Sequence, residues 1–297
     1  MHLARPARLY NPAMSTFIAP DGTQLAYDVK GGPLDGRDPL ICIPGGAMRE
    51  PVYLGDLGGL AQRRPLLILN LRGTGRSARP ADPQSYRADR MVADVEALRE
   101  HLGYERIDLA AHSAGGALAL FYAAAYPERI NTLTLITPSL RPLGLGPTDE
   151  HRSEARELRR HEPWYADASA AQQRIQHDKD NATDEEWLLF ARFLYGRWDE
   201  DVEAYESASD GQFLNEEAGS IYASPETLDP ERTKAQLAKL SAPVLILAAE
   251  YDAIPRPHVA ALAANCFQDA RVVVQERAGH FPWIDDPAEF LRLITES

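Results

Sequence analysis

Apolar positions along the chain follow two rhythms. Leu40 to Ile43 and Leu66 to Leu71 are short apolar runs, the second interrupted only by Asn70, ending in Pro44-Gly45-Gly46 and in Arg72-Gly73-Thr74-Gly75. Runs without alternation bury both faces and suit central strands of a covered sheet. Thr16 to Ala19 and Gln24 to Lys30 flank the turn dipeptide Asp21-Gly22 and predict an opening hairpin. Ile107 to Ala111, Ile130 to Thr137, Val244 to Ala249 and Arg271 to Val274 predict further strands. Between them, Met91, Val95, Leu98 and Leu102 recur at helical spacing, predicting a helix over 88–102 that Gly103 stops. Tyr53 to Gln62 carries a helical pattern interrupted by Gly55, Gly58 and Gly59. Ala114 to Ala125, Pro257 to Asn265 and Pro287 to Ile294 complete the helices of this alternating text.

Alternation of strand and helix produces a mostly parallel sheet covered by helices. The rhythm breaks at Pro138, and from Thr148 to Lys239 the text is helical and strongly charged. The organisation expected is an N-terminal tail over 1–15, an α/β core over 16–140 and 241–297, and an inserted helical cap over 141–240.

Candidate chemistry sits where strands end. Ala111-His112-Ser113-Ala114-Gly115-Gly116 marks a strand turning sharply into a helix. A nucleophile on such a turn adopts a strained backbone, so residues two before and two after it must be small, as Ala111 and Gly115 are. The helix N-terminus beneath it favours a developing oxyanion. Alone, the segment also reads as an N-cap serine opening an Ala-rich helix. Partners downstream separate the two readings. Val244 to Ala249 leads into Glu250-Tyr251-Asp252, and the following strand leads into Ala278-Gly279-His280-Phe281. Ser113, Asp252, His280 is the chain order of a nucleophile, orienting acid and base on this architecture. Glu250 is the competing acid. The other histidines, His112 among them, read as surface polarity, and none pairs at metal-ligand spacing, so no metal is expected. Backbone N–H groups of Gly46 and Ala114 are the candidate oxyanion donors. Gly73-Thr74-Gly75 lacks a phosphate-loop ending and reads as a turn supporting the active-site loop.

Charge and cysteine content narrow the partners. A net charge of -13 argues against nucleic acid or an anionic membrane. Cys42 and Cys266 read as reduced core residues, and the first fifteen residues lack an apolar stretch of signal-peptide length, so a cytoplasmic location and a small-molecule substrate are expected. Met14 reads as the nearer functional start. Asp149 to Lys239 holds 22 acidic and 11 basic residues, most of the chain's net charge. One expectation is that Glu216 or Glu217, in Phe213-Leu214-Asn215-Glu216-Glu217, holds a substrate ammonium; the plainer reading is a solvated helical face. Trp164, Trp187 and Trp198 are candidate pocket walls or cap packing.

Together the Pro-Gly-Gly loop, Arg72-Gly73-Thr74-Gly75-Arg76-Ser77, the elbow, Tyr251-Asp252 and Gly279-His280 resemble the α/β-hydrolase fold family along nearly the whole chain. That resemblance implies a mostly parallel eight-stranded sheet flanked by helices, a Ser-His-Asp triad and no cofactor. Within the family, the loop, the long insertion after the sixth strand and the Glu-Tyr-Asp strand end look most like proline iminopeptidases and small-molecule esterases. Iminopeptidases usually carry His-Gly-Gly-Pro and Gly-Gly-Ser-Trp-Gly where this chain has Pro44-Gly45-Gly46-Ala47 and Ala111-His112-Ser113-Ala114-Gly115; the elbow here is nearer to those of esterases and lactonases. The implied reaction is hydrolysis of a small ester, lactone or amide through an acyl-enzyme. A cyclase or lyase using the same pocket, and a ligand receptor of low turnover, are the alternatives.

Overall fold

The computed structural model describes residues 15–32, 38–208, 212 and 215–296. The expected N-terminal tail lies outside them apart from Ser15, as do Met14, Phe213 and Leu214. Strands β1 (Thr16–Ile18), β2 (Gln24–Lys30), β3 (Leu40–Ile43), β4 (Leu66–Asn70), β5 (Ile107–His112), β6 (Ile130–Ile136), β7 (Val244–Ala249) and β8 (Ala270–Gln275) form one sheet in the order β1-β2-β4-β3-β5-β6-β7-β8. β1, β2 and β4 pair antiparallel, and every neighbour from β4 through β8 pairs parallel.

Pleating sorts the apolar runs onto two faces. Ile41, Ile43, Leu67, Leu69, Leu109 and Ala111 pack in one cluster with α1 (Val92–Leu102) and α2 (Gly115–Ala125). Leu40, Cys42, Leu66, Ile68 and Ala110 face the other way, towards Tyr53, Leu57, Trp283 and Phe290. Both faces are covered, which is why β3, β4 and β7 are buried at every position and read as apolar text, broken only by Asn70 at the end of β4.

Between β6 and β7 the chain makes α3 (Asp149–Glu157), α4 (Tyr165–His177), α5 (Asp184–Ala191), α6 (Glu200–Ser207), α7 (Glu216–Tyr222) and α8 (Pro230–Leu237). Thr148 and Thr183 open α3 and α5 with capping boxes, and Asp199, Asn215 and Asp229 cap α6, α7 and α8. After β7 come α9 (Pro257–Ala264), α10 (Pro282–Asp285) and α11 (Pro287–Thr295). Among the described residues no helix is long and apolar enough to cross a membrane.

Three expectations need correction. Tyr53 to Gln62 is two 3-10 turns, Pro51–Leu54 and Leu60–Gln62, because Gly55, Gly58 and Gly59 all take positive φ. Regular helix begins at Val92, not Ala88, since residues 88–91 are spent in turns that follow the 3-10 segment Pro83–Tyr86. The Arg72 to Ser77 turn serves the hairpin and α1 instead of the active-site loop: Arg72, 3% exposed, bonds Asp94 of α1 (Nε to Oδ2 2.8 Å) and Asp21 of the hairpin turn (2.7 Å). Ser77 joins the same ties, its hydroxyl accepting the Ala26 N–H and donating to the Asn70 carbonyl.

Candidate active site

Ser113 follows β5 directly, at the centre of the sheet. Its φ is 52°, a left-handed conformation that non-glycine residues rarely take. The turn is held by the Ser113 N–H donating to the Ile136 carbonyl (3.1 Å) and the Ser113 carbonyl accepting from Gly116 and Ser139. Its neighbours must be small for measurable reasons. A Cβ on Gly115 would lie 2.5 Å from the Pro44 carbonyl oxygen, and one on Gly45 would lie 2.6 Å from Ser113 Cβ. The Gly-Gly loop after β3 therefore presses against the elbow, and no hydrogen bond within the described residues engages the N–H of Gly46 or Ala114.

Asp252 lies in the loop after β7 and His280 in the loop after β8. Parallel strands deliver all three residues to the same rim of the sheet, outside the carboxyl ends of the strands. His280 Nε2 is 2.8 Å from Ser113 Oγ, and His280 Nδ1 is 2.7 Å from Asp252 Oδ2. A carboxylate only accepts, so Nδ1–H donates to Asp252, and Nε2 is left to accept the Ser113 O–H. Asp252 is 5% exposed; its Oδ1 accepts the Ile254 N–H (2.9 Å), which fixes the plane of the carboxylate. Glu250 turns elsewhere, accepting the Arg277 N–H at 2.7 Å.

His112 is not the surface residue its sequence context implies. It is 3% exposed, and its ring joins two loops. Nε2 is 2.9 Å from the His280 carbonyl oxygen, which can only accept, so Nε2 carries the proton. Nδ1 must then accept from the Tyr53 hydroxyl (2.8 Å), which itself accepts the Gly45 N–H (2.6 Å). Burial first, and then the neighbouring His280, hold His112 well below the ordinary histidine value, so the ring stays neutral in this relay. The Thr137 hydroxyl donates to the same His280 carbonyl at 3.0 Å. None of these supporting residues has a sequence signal of its own, because each acts through contacts between segments far apart in the chain.

Asp285, on α10, supports the same loop. Its Oδ2 accepts the Gly279 N–H at 2.7 Å, while Oδ1 has no partner among the described residues. Burial pushes its carboxyl up to about 6, against the lowering effect of the nearby N–H groups, that of Gly279 foremost. Because the folded pKa lies above the ordinary aspartate value of 3.8, the ionised form is the disfavoured one in the folded chain. The penalty is absent below the unfolded value and complete above the folded one, so stability falls as pH rises from about 4 to above 6, by up to about 3 kcal/mol. Asp285→Asn keeps an acceptor for Gly279 and is expected to remove that slope, as urea unfolding across this pH range would measure.

A cavity of about 200 Å³ opens beside Ser113, walled by Ala47, Ala114, Phe121, Tyr222, Leu228 and Ile254. α7 docks over it: the Tyr222 hydroxyl donates to the Ala114 carbonyl (2.8 Å), and Gly219 sits against the Ala47 carbonyl. Glu216 and Glu217 occupy the exposed first turn of the same helix and do not line the cavity. Helical periodicity explains this, since Ala218 and Tyr222 take the inward face. The tryptophans are also elsewhere: Trp164 packs on Phe193, Trp198 on Tyr195, and Trp187 is 38% exposed. Among the described residues no cluster of His, Cys, Asp or Glu could hold a metal ion.

Residues 38–287 match the family profile described as alpha/beta hydrolase fold. The chain is 24% identical over 293 residues to a proline iminopeptidase of Heyndrickxia coagulans, covering 92% of this chain and 97% of that protein. It is 37% identical over 115 residues to the (lyso)-N-acylphosphatidylethanolamine lipase of Mus musculus, covering 38% of this chain and 33% of that protein. The chain thus spans about a third of that lipase's length. The crystal structure of the proline iminopeptidase of Mycobacterium smegmatis superposes with a TM-score of 0.71 at 20% identity, over 95% of this chain and 97% of that one, a likeness of fold.

Proposed function

The chain belongs to the alpha/beta hydrolase fold family, and from that premise we propose that it is a serine hydrolase cleaving a small ester, lactone or amide through an acyl-enzyme. The observation that carries this reading is the continuous hydrogen-bonded line from Ser113 through His280 to Asp252, at 2.8 and 2.7 Å, opening onto an apolar cavity.

In this reading Ser113 Oγ attacks the carbonyl carbon while His280 Nε2 takes its proton, and Asp252 stabilises the imidazolium that results. The N–H groups of Gly46 and Ala114 receive the oxyanion; losing one such donor typically costs about 3 kcal/mol in the transition state. His280 then protonates the leaving group, and a water activated by the same imidazole releases the acid. Cys42, whose thiol burial pushes up to about 12, takes no part. Cys42 and Cys266 are free thiols, which suits the reducing cytoplasm where we place the reaction.

The test is a panel of short 4-nitrophenyl esters, lactones and aminoacyl arylamides, run before and after treatment with a fluorophosphonate. Turnover is expected for at least the esters, and loss of turnover should track formation of a single adduct at Ser113. Turnover that survives complete labelling would defeat the mechanism.

A further inference from the structure

The cavity beside Ser113 contains one charged side chain, Arg141, and no carboxylate among its lining residues. Arg141 opens the 3-10 turn Arg141–Leu143 after β6, on the same rim as the elbow. Its stem lies against Gly146, where an added Cβ would come within 3.3 Å of Arg141 Cγ. The guanidinium makes no hydrogen bond, ion pair or ring contact with any described residue. That isolation is unusual within this molecule. Arg72 is matched by Asp94 and Asp21, Arg99 by Glu96, Arg159 by Glu162 and Arg256 by backbone carbonyls. Arg232 and Arg271, whose guanidinium groups also have no hydrogen bond or ion pair among the described residues, are exposed, whereas Arg141 is half-buried. A chain with 44 acidic residues does not lack partners for an arginine.

From this placement we infer that Arg141 reads a carboxylate on the substrate. A half-buried guanidinium beside an apolar cavity, with no counter-charge from the described residues, is incompletely hydrated, and its planar fork matches a carboxylate in bidentate fashion. Ser139 also lines the cavity, and its N–H is tied to the Ser113 carbonyl at 2.8 Å. The segment that carries Arg141 is therefore anchored to the backbone of the elbow. A volume of about 200 Å³ confines the substrate to a small molecule. Exposed carboxylates between β6 and β7 set up a diffuse negative field, but salt screens it beyond about 8–10 Å, and a contact inside the cavity is screened far less. This assignment rests on the serine hydrolase reading. It replaces the expectation of an ammonium held by Glu216 or Glu217, since the cavity offers a cation and those carboxylates stand outside it.

Two isosteric pairs test it. The 4-nitrophenyl monoesters of glutaric acid and of glutaramic acid place a carboxylate or a neutral amide on the acyl side; 4-carboxyphenyl and 4-carbamoylphenyl butyrate do so on the leaving group. In the wild type the carboxylate member of at least one pair should have a kcat/KM about 10–100-fold above its amide twin, mostly through KM, and the advantage should shrink in high salt. Arg141→Gln should bring that ratio towards one, and Arg141→Lys should restore part of it. Competitive inhibition of the wild type by glutaramate, several-fold tighter than by the neutral diamide glutaramide, gives a readout that needs no variant. Equal turnover within both pairs, equal inhibition by the acid and the diamide, or an unchanged ratio in a folded Arg141→Gln overturns the assignment. A wild type that labels with fluorophosphonate and hydrolyses 4-nitrophenyl butyrate without carboxylate preference overturns Arg141's role alone. One that neither labels nor turns over any of these esters overturns the underlying reading and this inference with it.

Discussion

Replacing Ser113 by alanine is expected to lower kcat by about five to six orders of magnitude, with little change in unfolding temperature. The substitution removes the hydroxyl proposed as nucleophile and its 2.8 Å hydrogen bond to His280, yet keeps a Cβ in the space the elbow already accommodates. The positive φ at position 113 is held by three backbone hydrogen bonds, from Ser113, Gly116 and Ser139 N–H groups, which alanine leaves intact. Residual activity, from backbone donors and binding alone, should still exceed the water reaction by about 10³–10⁴-fold. Steady-state hydrolysis of a 4-nitrophenyl ester, paired with thermal unfolding, checks both parts. A variant that folds normally and keeps more than about a tenth of wild-type kcat would remove Ser113 from the chemistry.

The second large effect is at Asp252, where asparagine should cost about 10⁴ in kcat. The structure supplies the reason. Asp252 Oδ1 is held by the Ile254 N–H, so an asparagine that keeps this bond turns its amide nitrogen towards His280 Nδ1. Nδ1 must then accept, the ring proton moves to Nε2, and the imidazole can no longer take the proton of Ser113. Glu250 does not substitute, because its carboxylate is engaged by the Arg277 N–H. The rate of fluorophosphonate labelling should fall together with kcat, since both need the same proton transfer. Loss of ester turnover with an unchanged labelling rate would show that Asp252 serves something other than the tautomer of His280.

Much of this architecture was legible in the text because its signals are local. Unbroken apolar runs and β-branched strands announced β3 to β8, and Gly103, with φ 73°, closed α1 where the helical spacing stopped. Small residues around Ser113 marked a tight turn before its cause was visible; the cause is the Pro44 carbonyl and the Gly45 backbone crowding the elbow. The errors came where long-range packing outweighed local preference. Tyr53 was an aromatic in a doubtful helix, and only folding carries its hydroxyl between Gly45 and His112. α10 passed unnoticed because Pro282 and Pro287 leave it four residues long, too short for periodicity to register.

Residue order and turn chemistry by themselves determined that a parallel sheet forms, that a serine stands on a sharp strand-to-helix turn, and that an acid and a histidine follow at later strand ends. These properties depend on neighbours within a few positions, where sterics and burial act directly. Tertiary structure alone decided that Glu250 turns away to the Arg277 N–H, that His112 is a buried neutral link to the His280 carbonyl, and that the cavity wall carries Arg141 and not Glu216 or Glu217. Those outcomes depend on where loops from distant strands converge, and on whether a polar side chain, once out of water, finds a partner.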